Sequence, residues 1–139
     1  MRDATARRLS TLHRILFRST SGQVGRRFVN NDMLLLTTAG RHSGRPHTVP
    51  LLYLRVGAAL IVIASWGGRP RNPEWYSNLV ANRRVSVELP GRRFDAVATS
   101  LPEPERSIWW DHAVAAYDGY ATYQARTDRV IPVVRVVPT

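Results

Sequence analysis

The sequence predicts a domain of the α+β class, built on a small antiparallel barrel of about six strands with peripheral helices. Short apolar runs rich in β-branched residues recur along the chain, and turns that contain glycine, proline or asparagine separate them. The predicted order is helix, three strands, helix, two strands, helix and a last strand. Short strands in this order, with helices beside them, are typical of a small antiparallel barrel.

The strand predictions depend on apolar runs that end at turn residues. The clearest case is the alternating pair of runs around Pro90 and Gly91, because this dipeptide favours a hairpin turn. The six predicted strands are Leu34–Ala39, Thr48–Val56, Leu60–Trp66, Arg84–Leu89, Arg92–Ser100 and Ile131–Val137.

Two helices are predicted within the barrel domain. The first opens at Asn72, a suitable N-cap, with Pro73 at the first helical position. The second spans Leu101–Tyr117, with Ser100 as its cap. The tyrosine-rich segment Asp118–Arg129 is predicted to be a loop.

The first 31 residues are predicted to form a basic helix and a linker ahead of the barrel domain at 32–139. Within residues 1–18, Leu9, Leu12, Ile15 and Leu16 share one face, and arginines surround it. This face either packs on the barrel or a partner subunit, or lies on an anionic membrane surface.

Composition excludes several kinds of chemistry. The 139-residue chain has no cysteine, and all twenty of its basic residues are arginine. Disulfides, thiolate nucleophiles, Schiff bases and the lysine-containing phosphate loop are therefore excluded. The chain has no apolar run of eighteen residues and no secretory segment, which favours a cytoplasmic protein, with peripheral contact to the inner membrane face as an option.

The net charge of +10 allows an anionic partner. The arginines are dispersed along the chain, which is typical of a solubilising role. Nucleic acid is not an expected partner, because the chain lacks the aromatic and basic sheet face of single-strand binders. The oligomeric state is left open.

The turn from Gly40 to Arg45 is a candidate anion site. Its glycines permit a concave backbone on which arginine and serine donors can converge, and the alternative is an exposed hairpin turn. The four histidines lack metal-ligand spacing, so no metal site is expected.

Two further groups could carry chemistry. Ser65, before Trp66, either offers its hydroxyl to a ligand or simply ends a strand. Tyr117, Tyr120 and Tyr123 are spaced to place three rings on one side, either to line a ligand pocket and donate protons or to form an apolar lid.

Five segments, in this order over about residues 33–137, together resemble the deazaflavin-dependent nitroreductase family: LLLTTAGRHSGRP, VPLLYL, IVIASWGG, NPEWYSNLVAN and YQARTDRVIPVV. The resemblance implies a split β-barrel like that of FMN-binding oxidoreductases, with coenzyme F420 held in a groove. It also implies that the protein is an F420H2-dependent quinone or nitro reductase.

The resemblance also implies roles for individual residues. Ser65, Tyr117, Tyr120 and Tyr123 would form the catalytic, acceptor-facing group, and Tyr120 would also contact the cofactor. The remaining cofactor-binding residues would be Arg41, His42, Ser43, His47, Thr48, Val49, Pro50, Leu51, Leu52, Ile63, Ala64, Ser65, Trp66, Glu74, Trp75, Tyr76, Ser77 and Asn78.

The expected reaction is hydride transfer from reduced F420 to an electron-poor acceptor, a quinone or a nitroaromatic. The alternative is a barrel that binds a deazaflavin, a flavin or a lipid-like ligand with little or no turnover. The chain departs from the family at His42, His47 and Trp66, where lysine or arginine is usual. Arg45, Arg69 and Arg71 are the candidates to supply the missing positive charge.

Overall fold

The computed structural model describes residues 33–139. The helix predicted over residues 1–18 and the linker that follows it lie outside the described residues, as do both options for the helix face. None of the helices in the described range is long and apolar enough to cross a membrane.

Seven strands form a single antiparallel sheet in the order β2-β1-β5-β6-β7-β4-β3. They are β1 (Met33–Ala39), β2 (Pro46–Leu52), β3 (Leu54–Val56), β4 (Ala59–Ile63), β5 (Arg84–Leu89), β6 (Arg92–Ser100) and β7 (Val133–Pro138). Described helices are α1 (Glu74–Ala81), α2 (Glu105–Ala116) and α3 (Gly119–Ala125), and a short 3-10 turn spans Trp66–Gly68.

The single strand predicted over Thr48–Val56 is wrong, because the chain bends at Tyr53 and changes partner. Leu52 of β2 pairs with Met33 of β1, whereas Leu54 of β3 pairs with Ile61 of β4. Because β1 and β4 lie near opposite ends of the sheet order, this bent segment brings the two edges together and curls the sheet into a half-barrel.

The larger core fills the inside of the curl. Leu34 and Leu36 of β1 and Val62 of β4 are fully buried there, and Trp75 and Leu79 of α1 cover them. Each such aliphatic side chain stabilises the fold by about 1.5–3 kcal/mol relative to exposure.

A second core lies on the opposite face of β4. Ile61 and Ile63 point into it, because successive side chains of a strand alternate between its faces. Ala113 of α2 and Tyr120 of α3 pack against them. Strand β4 is thus covered on both faces, which explains its continuous apolar run.

Three local predictions are wrong. The segment predicted as a tyrosine-rich loop contains helix α3. Helix α1 begins at Glu74 with Pro73 at the N-cap, and Asn72 does not cap it. Pro104 rather than Ser100 is the N-cap residue of α2. The carboxylate of Glu103, one residue earlier, accepts hydrogen bonds from the backbone and side chain of Ser107, at 2.9 and 2.8 Å.

Helix α3 contacts the turn after β4 with no space to spare. Gly68 has φ +79°, and a Cβ there would lie 2.4 Å from the carbonyl oxygen of Tyr123. Its neighbour Gly67 has φ +64° but open space around it. Both positions therefore favour glycine because of their positive φ. At Gly68 there is also no room for a side chain.

Burial governs the ionisation of Tyr120. Its side chain is 8% exposed, and burial, followed by the nearby phenols of Tyr117 and Tyr123, raises its pKa above the ordinary value near 10. The folded state therefore keeps the Tyr120 proton at pH values where the unfolded chain releases it.

We expect Gly68→Ala to destabilise the protein far more than Gly67→Ala. Both alanines occupy a left-handed conformation, at a cost of about 1–2 kcal/mol. Gly68→Ala also forces α3 away from the turn, which adds about 1–3 kcal/mol. Urea unfolding of both variants measures the difference, and equal losses would contradict the tight contact.

We expect Tyr120→Phe to reduce the fall in the free energy of unfolding that occurs as the pH rises above 10. The raised pKa contributes stability that is fully present below pH 10 and lost as the pH rises above it, by up to about 1.4 kcal/mol per pH unit. The free energy of unfolding of both proteins should run parallel from pH 7 to 9 and converge above pH 10. Parallel curves at all pH values would exclude a shifted Tyr120.

Candidate active site

A groove of about 790 Å³ runs along the free side of edge strand β2. Its walls come from four segments: the turn after β1, β2 itself, the end of β4 with the turn that follows, and the start of α1. The lining residues are Gly40, Arg41, His42, Ser43, Pro46, His47, Thr48, Val49, Pro50, Leu51, Ile63, Ser65, Trp66, Pro73, Glu74, Trp75 and Asn78.

Asn78 fixes two of these walls to each other. It is 4% exposed, and its amide donates to the Thr38 hydroxyl at 3.2 Å. Its amide oxygen accepts from the backbone N–H and the guanidinium of Arg41, at 3.1 and 2.9 Å. One buried amide therefore joins β1, the turn after it and α1.

Arg41 is also paired across the groove. Its guanidinium lies 3.3 Å from the Glu74 carboxylate. Arg41 thus lines the groove with part of its hydrogen-bonding capacity already used by Glu74 and Asn78. Its positive charge is shared with an acidic neighbour.

The turn after β1 closes tightly around His47 and Ser43. A Cβ on Gly40 would lie 2.7 Å from His47 Nε2 and 2.8 Å from Ser43 Oγ, so a larger residue here would displace these two exposed side chains. The Ser43 hydroxyl accepts the backbone N–H of Arg45 at 3.1 Å. The turn therefore places the His42 and His47 imidazoles, the Ser43 hydroxyl and the Arg41 guanidinium along the groove, a set suited to an anion.

The opposite wall carries Ser65 and Trp66. Trp66 has φ +44°, and among the described residues it is the only non-glycine with positive φ. Such conformations cluster at functional sites, because the surroundings must hold them in place. The guanidinium carbons of Arg69 and Arg71 lie 4.6 and 5.8 Å from the Trp66 ring centroid, so two cations flank this indole.

The three tyrosines form a cluster beside the groove rather than along it. The rings of Tyr117 and Tyr120 meet edge to face at 5.1 Å, and the hydroxyls of Tyr117 and Tyr123 are 3.3 Å apart. This hydrogen bond, followed by burial, raises the pKa of Tyr123. A small cavity of about 10 Å³ lies against Tyr117 and Tyr120, and Ile63 lines both this cavity and the groove.

The structure brings most of the residues predicted from the sequence to the groove, where their roles stay predictions. The segment after β1, the edge strand, Ser65, Trp66 and three residues of α1 all line it. Predicted residues that do not line it are Leu52, Ala64, Tyr76, Ser77, Tyr117, Tyr120 and Tyr123.

These residues lie elsewhere for identifiable reasons. Ala64 is fully buried in the larger core, and Leu52 faces the small cavity. Tyr76 bonds Ser100 through its hydroxyl, at 2.9 Å.

Sequence reasoning missed three groove residues, Gly40, Pro46 and Pro73. It also missed Arg129, whose guanidinium bonds the Asn72 side chain at 2.7 Å. Gly40 is the first residue of the candidate turn, so extending the predicted cofactor contacts to the whole turn would have included it. No local signal marks Arg129. Across residues 33–139, no cluster of three or more His, Asp or Glu side chains could hold a metal ion.

Comparison with known proteins identifies the family. The family model described as F420H(2)-dependent quinone reductase matches residues 9–138. An F420H(2)-dependent quinone reductase of Mycobacterium tuberculosis (strain ATCC 25618 / H37Rv) is 38% identical over 130 residues, which cover 91% of this chain and 87% of the relative.

Solved structures support the same family and fold. An F420-H2 dependent reductase, FDR-A, superposes with a TM-score of 0.70 at 42% identity, over 76% of this chain and 93% of that one. An FAD-binding protein from Mesorhizobium loti, 22% identical, superposes with a TM-score of 0.58 over 78% and 80% of the two chains, a likeness of fold alone. These findings confirm the predicted split β-barrel of the α+β class and the resemblance drawn from the sequence. The chain belongs to the F420H(2)-dependent quinone reductase family of oxidoreductases.

Proposed function

We propose that this protein binds reduced coenzyme F420 in the groove and reduces a quinone there. The observation that carries the proposal is the arrangement of polar and apolar side chains along the groove. A turn with arginine, histidine and serine donors lines one part of it, and apolar residues together with the buried Ser65 line another. A deazaflavin has matching parts: a flat ring system and a chain that carries phosphate and carboxylates.

The residues present fit such a group. Val49, Leu51, Ile63 and Trp75 offer apolar surface for a planar ring. The Ser43 hydroxyl and the His47 imidazole both lie close to Gly40 at the turn, where a phosphate would be bound. When bound, reduced F420 supplies the hydride.

The chain's own contribution is orientation and electrostatics. Ser65 lies at the end of β4 and is 9% exposed, so its hydroxyl is held in a nearly dry part of the groove. A hydrogen bond from this hydroxyl would stabilise negative charge that develops on an acceptor oxygen. The buried wall of Ile63 and Trp75 would exclude water from the reacting atoms.

The tyrosine cluster lies on the other side of Ile63 from the groove, and it would contribute hydrogen-bond donors to the acceptor. The Tyr117–Tyr123 pair is linked by a hydrogen bond. Phenols are protonated at neutral pH, and the raised pKa values of Tyr120 and Tyr123 extend this state to more alkaline pH. Protonated phenols can donate to a quinone that enters beside them. Nitroaromatics would be secondary acceptors, because the nitro group presents similar oxygens.

The first test is titration of the purified protein with F420 and, in parallel, FMN, followed by fluorescence. We expect a Kd for F420 in the micromolar range or tighter. Absence of F420 binding would remove the proposal. Binding without reduction of any quinone would favour the non-catalytic alternative.

We expect His47→Ala to weaken F420 binding about tenfold, because the imidazole lines the groove beside the turn and its hydrogen bond to an anion is lost. His112→Ala is the matched control. His112 stacks on Trp109 of α2, outside the groove, and its loss should leave the Kd unchanged. An equal effect of both variants would show that His47 has no specific role.

We expect Ser65→Ala to lower kcat with menadione about a hundredfold while the Kd for F420 changes less than twofold. Ser77→Ala is the control, since Ser77 does not line the groove. If Ser65→Ala kept wild-type turnover, Ser65 would have no part in stabilising the acceptor.

A further inference from the structure

We propose that Arg129 is a positioning residue for the active site. Its guanidinium holds the segment from Ala64 to Asn72, the 64–72 loop, in the shape that presents Ser65 and Trp66 to the groove. The inference about turnover rests on the proposed function, whereas the inference about loop geometry does not.

Arg129 spans the whole loop with four hydrogen bonds. Its Nε donates to the Arg69 carbonyl at 2.8 Å, and its Nη2 donates to the Ser65 carbonyl at 2.7 Å. Its Nη1 donates to the Ala64 carbonyl at 3.2 Å and to the Asn72 side chain at 2.7 Å. The guanidinium therefore bonds both ends and the middle of the loop.

The loop needs such a partner because its backbone is irregular. Trp66, Gly67 and Gly68 all have positive φ, at 44, 64 and 79°. Three consecutive left-handed residues cannot continue β4, so the neighbouring carbonyls lose the strand partners that a regular sheet would supply. A bulky residue such as Trp66 keeps a positive φ only where its surroundings leave no alternative.

The chemistry of the contacts requires arginine. Within residues 33–139 the four hydrogen-bond acceptors of Arg129 are all neutral, so the carbonyls and the amide solvate its charge. Partial burial acts in the opposite direction and lowers the pKa of Arg129 from the ordinary value. A planar fork of donors can reach separated acceptors, whereas the single ammonium of lysine cannot reach four of them.

Arg129 would influence turnover through Ser65. Its carbonyl is held by Arg129 and also accepts the backbone N–H of Gly68 at 2.9 Å. Its hydroxyl belongs to the groove lining. Fixing the carbonyl fixes the peptide units around Ser65, and with them the direction of the hydroxyl.

A purely structural role makes a different prediction, and Arg106 provides the matched comparison. Its Nε and Nη2 both donate to the Ile131 carbonyl, at 3.1 and 2.8 Å, and burial lowers its pKa as well. Arg106 is therefore a partly buried arginine that bonds main chain, but it does not line the groove.

The experiment compares Arg129→Lys with Arg106→Lys in the full chain. Hydrogen exchange of the protein without cofactor, at 25 °C, should show amides 65–69 exchanging at least tenfold faster in Arg129→Lys and unchanged in Arg106→Lys. In turnover with menadione, Arg129→Lys should lower kcat about tenfold, whereas Arg106→Lys keeps the wild-type value.

Asn72→Ala provides a second route that leaves the guanidinium intact. Removal of one of the four partners should give a smaller increase in exchange at the same amides. Unchanged exchange at 65–69 in both Arg129→Lys and Asn72→Ala would overturn the proposal. So would equal losses of kcat in the two arginine variants. If the wild-type protein does not bind F420, the proposed function fails, and the exchange measurement still decides on the loop.

Discussion

The bend at Tyr53 is the constraint on which the fold depends. One continuous segment must pair with β1 on one side and with β4 on the other, so the sheet has to curl until these two strands approach each other. The curl encloses the larger core and leaves β2 with a free edge. The groove lies along that edge, and the wall formed by Ile63, Ser65 and Trp66 faces it because the same bend brings β4 close.

The buried amide of Asn78 and the half-buried guanidinium of Arg129 then hold the irregular segments that the sheet cannot hold. Asn78 joins the turn after β1 to α1, and Arg129 joins the 64–72 loop to the segment before β7. Both residues satisfy backbone groups that would otherwise lie unpaired near the groove. The site is thus assembled from loops, as is common for small-molecule sites, but each loop has a specific residue that fixes it.

The sequence predicted those parts of the fold that local patterns determine. The bounds of β5 and β6 were predicted correctly, because alternating residues end at the Pro90-Gly91 hairpin. The bend at Tyr53 could not be predicted, since a change of partner strand leaves the local alternation intact. Helix α3 has seven residues and no side-chain cap, so tertiary packing rather than local propensity stabilises it.

The site was predictable at the level of segments but not of every side chain. Contiguous windows such as Ile63–Trp66 include residues that point away from the groove, and Ala64 is one of them. Asn72 shows a second reason why single side chains are hard to assign from sequence. Its amide oxygen accepts a hydrogen bond from Arg129, 57 positions later in the chain, and no local pattern indicates this pair.

The absence of space between Gly68 and Tyr123 has a mechanical consequence. The backbone of α3 rests directly on the turn that carries Trp66, with no intervening side chain to absorb a displacement. A displacement of α3 would therefore press directly on the turn that carries Trp66. Any widening of the space beside the tyrosine cluster would shift the Trp66 side of the groove as well, through main-chain contact alone.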